Sequence, residues 1–258
     1  MEIESEEDLS DLFRWCGRYQ PEACDHGAEA LTLVLRSGST TLPRMQSNQF
    51  ALDRLDWNFD DRILRVTTYR NPRVHTRWTV PWSHFVGVIA ALAAASKGND
   101  WRIAHAAGCC LSTDRGFLIL GASGAGKSTL VRRLGLEQLG DELIRFGGQT
   151  DDFWLQGTVV PGELRADHLE RRPLSALLMP VQSERAPRIE PVTAADAATA
   201  LLSAVVRLEA EDLAPDLSWV KRVVDNVPCY RVHWNLRGDS PRDALVETLE
   251  AAACLPGS

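Results

Sequence analysis

The residues best suited to chemistry form one stretch, GASGAGKST, from Gly121 to Thr129. It follows the apolar run Phe117, Leu118, Ile119 and Leu120 and precedes a segment, Leu130 to Leu134, that reads as a helix. Strand, glycine-rich loop and helix in that order are the context a phosphate-binding loop requires. Gly121, Gly124 and Gly126 let the backbone curl so that N–H groups point inward, with Ala122, Ser123 and Ala125 completing the cradle. The helix N-terminus adds partial positive charge. In such a loop Lys127 would reach the terminal phosphates, and the Ser128 hydroxyl, with Thr129 beside it, would sit on a bound Mg²⁺. The motif implies a nucleoside triphosphate and leaves open what receives the phosphate.

Phosphoryl transfer also needs a carboxylate for the metal and a group that orients or deprotonates the nucleophile. Asp141 and Glu142, fourteen and fifteen residues after Lys127, are the first candidates. On a regular strand only one of two neighbours would face the site; where the chain turns, both can enter, one toward Mg²⁺ and one toward an acceptor hydroxyl. A solvated turn before a strand is the structural alternative. Asp151 and Asp152 are a second acidic pair, equally suited to a loop or a helix cap. His105, in IAHAAGCC, is either a satisfied core histidine or a group near the transferred phosphate.

The elements that must position these residues can be read in order. Residues 1–24 hold a short amphipathic pattern through Leu9, Leu12, Phe13 and Cys16 that predicts a helix. Leu31 to Gly38 reads as a strand, and 63–69 with 74–80 as a hairpin around an Asn-Pro turn. Arg65, Arg70, Arg73 and Arg77 give that hairpin a basic face, which also suits a solvated sheet surface. Ser83 caps an alanine-rich helix over 84–95. Trp101 to Leu111 reads as one strand, STDRG as a tight turn, and Gly116 to Leu120 as the strand that enters the phosphate loop, so the two strands form a hairpin. One helix and one turn then lead to Asp141. Residues 150–165 read as turns that cover the nucleotide or face the acceptor. Leu174 to Val181 is a buried run, and Thr193 with Asp196 caps a helix whose apolar face is Ala197, Ala200, Leu201, Ala204, Val205 and Leu208. A strand over 228–236 and a final helix over 240–255, opened by Ser240 and Pro241, complete the chain.

Composition narrows the setting. The 258 residues are 45% hydrophobic and 24% charged, ordinary for a globular protein, with a net charge of −7. That acidic balance argues against general nucleic-acid binding. The N-terminus is acidic with no apolar core, unlike a signal peptide, and the longest apolar stretch, Phe85 to Ala95, is too short to span a membrane. Cys16, Cys24, Cys109, Cys110, Cys229 and Cys254 show no paired metal-ligand spacing and read as reduced, mostly buried thiols of a cytoplasmic protein. FGGQT at 146–150 lies too soon after Lys127 to be a transporter ATPase signature, and no Asn-Lys-x-Asp guanine signal follows the loop, which argues against a GTPase.

Taken together, His105, a hairpin, FLILGASGAGKSTLVRRL and a short return to GDEL resemble the HPr kinase/phosphorylase family and its shortened relatives associated with peptide modification. TVVPGEL and RRPLSALLMP resemble the Pro-Gly turn and following apolar strand of those relatives, so the likeness spans roughly residues 100–255. It implies an α/β fold with a P-loop kinase core of the HPr kinase/phosphoenolpyruvate carboxykinase-like type. A small α+β N-terminal subdomain over 1–98 would precede a catalytic domain over 99–258. It implies a serine kinase using ATP and Mg²⁺, in which Asp141 deprotonates the serine hydroxyl and Glu142 assists the metal. His105 would line the phosphoryl site, while Lys127 and Ser128 hold ATP–Mg²⁺. The acceptor would be a peptide or small protein, such as a lasso-type precursor peptide, and a homo-oligomer is compatible with the family.

The sequence also departs from that pattern. Glu142 stands where full-length enzymes usually carry Asp, moving its carboxylate by about 1.5 Å. The glycine-rich motif of the reverse reaction is not recognisable between 150 and 180, so efficient dephosphorylation is not expected. Residues 1–95 do not match the regulatory domain of the full-length enzymes and could instead hold the acceptor. A kinase of a small hydroxylated metabolite and a non-catalytic ATP-binding regulatory protein are the competing readings.

Overall fold

The computed structural model describes residues 2–5, 32–38, 55–60, 63–69, 100–150, 152–158, 162, 164, 170–206 and 213–253. The chain divides into two compact units, Met1–Lys97 and Gly98–Ser258. In the first, β1 (Glu2–Ser5), β2 (Thr32–Gly38), β3 (Leu55–Asp60) and β4 (Ile63–Tyr69) form a sheet of order β1-β2-β4-β3. β2 and β4 lie where the sequence predicts strands. β4, however, forms its antiparallel pair with β3, the strand before it. β1 pairs in parallel with β2, and the helix expected within residues 1–24, carried by Leu9, Leu12, Phe13 and Cys16, lies outside the described residues. The strand expected over 74–80 and the helix over 84–95 lie outside the described residues.

The second unit is built on nine strands: β5 (Trp101–Ala104), β6 (Ala107–Ser112), β7 (Arg115–Ile119), β8 (Glu137–Gly140), β9 (Ile144–Gln149), β10 (Asp152–Gly157), β11 (Arg172–Gln182), β12 (Arg188–Pro191) and β13 (Cys229–Trp234). Among the described residues four helices accompany them: α1 (Lys127–Leu134), α2 (Ala194–Ala204), α3 (Leu213–Asn226) and α4 (Arg242–Ala253). The main path runs β5-β9-β10-β11-β7-β6-β8, and β13 adds to β11 with β12 outside it. β7, β11 and β13 are parallel, so their C-terminal ends share one edge.

Alternation along the central strands divides the core between two faces. Phe117 and Ile119 of β7 pack with Leu130, Val131 and Leu134 of α1 and Leu245 and Leu249 of α4. Leu118 and the following Leu120 pack with Leu201 of α2 and with Trp219, Val220 and Val223 of α3. Cys109 and Cys110 fall on opposite faces, as adjacent strand residues must, and both are buried and free. Burial pushes the Cys110 thiol up to about 12 and drives that of Cys109 upward as well. Cys229 is also buried and free, while Cys16, Cys24 and Cys254 lie outside the described residues.

Several elements differ from expectation. The stretch from Trp101 to Leu111 is two strands, because β5 pairs with β9 whereas β6 pairs with β7 and β8. His105 stands at the break, its N–H donated to Ala204 O at 2.8 Å. β8 intervenes between α1 and Asp141, where one turn was expected. Residues 152–157 are strand β10, paired throughout with β9, rather than a covering loop. α3 was not anticipated. The caps hold: Thr193 Oγ1 accepts from Asp196 N–H at 3.2 Å, and Ser240 Oγ from Arg242 N–H at 3.3 Å. α2 ends at Ala204, short of Val205, and Leu208 lies outside the described residues.

Candidate active site

Strand register brings the candidate residues together. In the antiparallel pair β6–β7, Ala107 at the start of β6 faces Ile119 at the end of β7. In the pair β6–β8, Gly108 faces Gly140 at the end of β8. His105 immediately precedes β6, the glycine-rich loop follows β7, and Asp141 follows β8. All three therefore emerge at one edge of the sheet, the edge to which β11 and β13 also bring their C-terminal ends.

The loop occupies that edge. Gly121, Gly124 and Gly126 all take positive φ, and Gly126, at +90°, is the N-cap residue of α1. A side chain at Gly126 would be doubly excluded, because a Cβ there would lie 2.8 Å from Trp234 of β13. Leu120 N–H donates to Leu178 O of β11 at 2.8 Å, which fixes the entry to the loop. Lys127 is buried and donates to Gly121 O at 2.9 Å and Ala122 O at 3.2 Å, so its ammonium lies across the mouth of the loop. Ala122, Ser123 and Gly124 are exposed, and Ala125, Ser128 and Thr129 are half-buried.

The electrostatics register the same convergence. Burial lowers the proton affinity of Lys127, while the nearby charges of Glu142 and Asp141 raise it. His105 is held at about 4, first by burial and then by the Lys127 charge, so the imidazole is neutral at neutral pH. Asp141 and Glu142 lie in a bend between β8 and β9, which is the turning geometry that lets both carboxylates approach Lys127.

Asp141 is only 5% exposed, and its position is set by a segment that sequence reasoning did not connect to it. Leu164 N–H donates to Asp141 Oδ1 at 2.9 Å. A Cβ at Gly162 would fall 1.8 Å from the same oxygen. The Pro-Gly turn was visible in the sequence, but its contact with a residue twenty-one positions earlier carried no local signal. Asp152 is exposed at the far end of β10, where it faces Gln149, whereas Gly157 faces Ile144 beside the bend. It therefore stands apart from the convergence. Asp151 lies outside the described residues.

The donor set fits a magnesium–nucleotide complex. Mg²⁺ takes oxygen ligands and commonly uses one or two protein carboxylates together with substrate phosphates and water. Ser128 and Glu142 would supply the protein oxygens. Among the described residues no three His, Cys, Asp or Glu side chains form a ready-made metal cluster.

No family model matches the chain, and no curated protein matches it. Among solved structures it is similar to the HPr(Ser) kinase/phosphatase from Coxiella burnetii, at 14% identity and a TM-score of 0.33, over 59% of this chain and 95% of that one. The likeness is a distant one.

Proposed function

We propose that the protein is a Mg²⁺- and ATP-dependent kinase that transfers the γ-phosphate to a serine hydroxyl of a peptide or small protein. The reading rests on one observation: His105, the phosphate-type loop with Lys127, and the Asp141–Glu142 bend emerge together at the ends of β6, β7 and β8. The sequence resemblance of GASGAGKST, His105 and GDEL supports it.

In this account the loop N–H groups and Lys127 hold the phosphates of ATP. Bound Mg²⁺, held through Ser128 and Glu142, would neutralise charge on the β- and γ-phosphates. Asp141 accepts the proton of the serine hydroxyl as its oxygen forms a bond to the γ-phosphorus. The bond to the bridging oxygen breaks, and ADP departs with that electron pair. His105, neutral, borders the transferred group as a hydrogen-bonding partner rather than a charge. The acceptor we favour is a ribosomally made precursor peptide, such as a lasso-type precursor, with residues 1–98 contributing to its binding. A cytoplasmic setting suits the free buried thiols. Among the described residues no helix is long and apolar enough to cross a membrane.

The test is incubation with γ-labelled ATP, Mg²⁺ and serine-containing peptides. Label should appear on serine, vanish when that serine is replaced by alanine in the peptide, and vanish with Lys127→Ala. Label on a small hydroxylated metabolite but on no peptide would transfer the reading to a metabolite kinase. ATP binding with no transfer to any acceptor would leave a regulatory nucleotide-binding protein.

A further inference from the structure

One face of the β5–β9–β10 sheet carries a ladder that the donor site does not use. Trp101 and Trp154 both pair with Gly147, one from each neighbouring strand, so the two indoles flank a position without a side chain. A Cβ at Gly147 would lie 2.5 Å from that of Trp101. Arg145, two residues earlier on the same face, places its guanidinium 4.0 Å from the Trp101 ring centre and 5.2 Å from that of Trp154. Arg171, one residue before β11, lies 4.1 Å from the other side of the ladder, over Trp154.

Among the described residues no carboxylate meets the charges in this ladder. Neither Arg145 nor Arg171 forms an ion pair, and the buried Nε of Arg145 has no hydrogen-bond partner. The nearest acid in sequence, Glu170, is engaged by Arg172 at 2.8 Å. Asp152, on the same face as Trp154, pairs with neither arginine. Burial and the neighbouring charge of Arg171 bring Arg145 down to about 10, a cost that a bound anion would offset. A cationic face of this kind on a chain of net charge −7 is selective by sign.

We infer that this face docks an acidic segment of the acceptor peptide. The inference rests on the kinase reading. Arg145 follows Asp141 by four residues and Gly147 by six, so their Cα atoms lie at most about 14 and 21 Å from it. An extended peptide whose serine is at Asp141 would bring carboxylates within about six residues of that serine onto the ladder. Arginine forks suit carboxylates, and the indoles pack the aliphatic stems of Glu or Asp neighbours.

Two measurements on the full chain test this. Calorimetric titration without nucleotide would compare single-serine peptides carrying a run of glutamates, alanines or lysines about four to six residues from the serine. The glutamate peptide should bind more tightly than the alanine peptide by about tenfold. That preference should shrink in Arg171→Gln and disappear in Arg145→Gln combined with Arg171→Gln, with ATP affinity unchanged. In phosphoryl transfer, the same variants should raise KM for the glutamate peptide about tenfold and leave kcat and the alanine peptide unaffected. Equal wild-type affinity for the glutamate and alanine peptides would overturn the docking face. So would a single-stranded oligonucleotide that binds in place of the glutamate peptide. Glutamate-selective binding with no transfer to any peptide would instead sink the kinase reading and leave the docking face standing.

Discussion

A Cβ at Gly162 would lie 1.8 Å from Asp141 Oδ1, and the neighbouring Leu164 N–H holds that oxygen at 2.9 Å. The carboxylate and the turn are therefore placed by each other. Gly162→Ala should displace the carboxylate and lower kcat for phosphoryl transfer by about 10²-fold, since small misplacements at a reacting group carry penalties of that size. ATP affinity, measured by titration, should stay near wild type; a fully active alanine variant would refute the coupling. His105 gives a second prediction at this scale. Its folded value of about 4 lies below the ordinary 6.5, so between those values the unfolded chain binds more protons than the folded one. Its contribution is present above about 6.5 and is lost as pH falls toward 4. Urea unfolding from pH 7.5 down to 4.5 should show a shallower loss of stability in His105→Gln than in wild type, and identical slopes would contradict the burial argument. The loop residues were legible because their chemistry is written in consecutive positions. Gly162 was not, because its constraint comes from a side chain twenty-one residues away.

At the scale of elements, α3 is tied to β5 by Arg102 Nε and Asp216 Oδ1 at 2.7 Å, with side chains 11% and 5% exposed. The Arg102 guanidinium also lies 5.5 Å from the Trp219 ring centre, and Trp219 meets Phe146 edge-on. Asp216→Ala removes this carboxylate from a buried guanidinium and should cost about 3–5 kcal/mol in denaturant unfolding. Replacing both partners by apolar residues of similar volume should cost much less, and a loss under about 1 kcal/mol in the single variant would place the pair among surface bridges. The sequence signalled the β6–β7 hairpin through its STDRG turn, and α2 and α4 through their hydroxyl caps. It did not signal β8, whose EQLG has too few residues to show a period. Nor did it signal α3, because Pro215, tolerated in a first helical turn, reads as a breaker. The break at His105 is set from outside the segment, by Ala204 O and by β5 and β6 choosing different partners.

For the molecule as a whole, the C-terminal ends of β7, β8, β11 and β13 and the start of the antiparallel β6 meet at a single edge of the Gly98–Ser258 unit. Open α/β sheets bind ligands at such an edge, outside the carboxyl ends of their strands. The sequence disclosed the donor side through one motif, but the gathering of His105, Lys127, Asp141 and Glu142 depends on the β6–β7 and β6–β8 registers, which residue spacing alone does not determine. The central claim is that Asp141 serves the acceptor rather than the nucleotide. It is tested most directly by following label from γ-labelled ATP onto a serine peptide with wild type and Asp141→Asn, alongside ATP affinity for both. The account predicts that transfer falls by about 10²- to 10⁴-fold while ATP binding is retained; transfer at a near wild-type rate in the asparagine variant would contradict it.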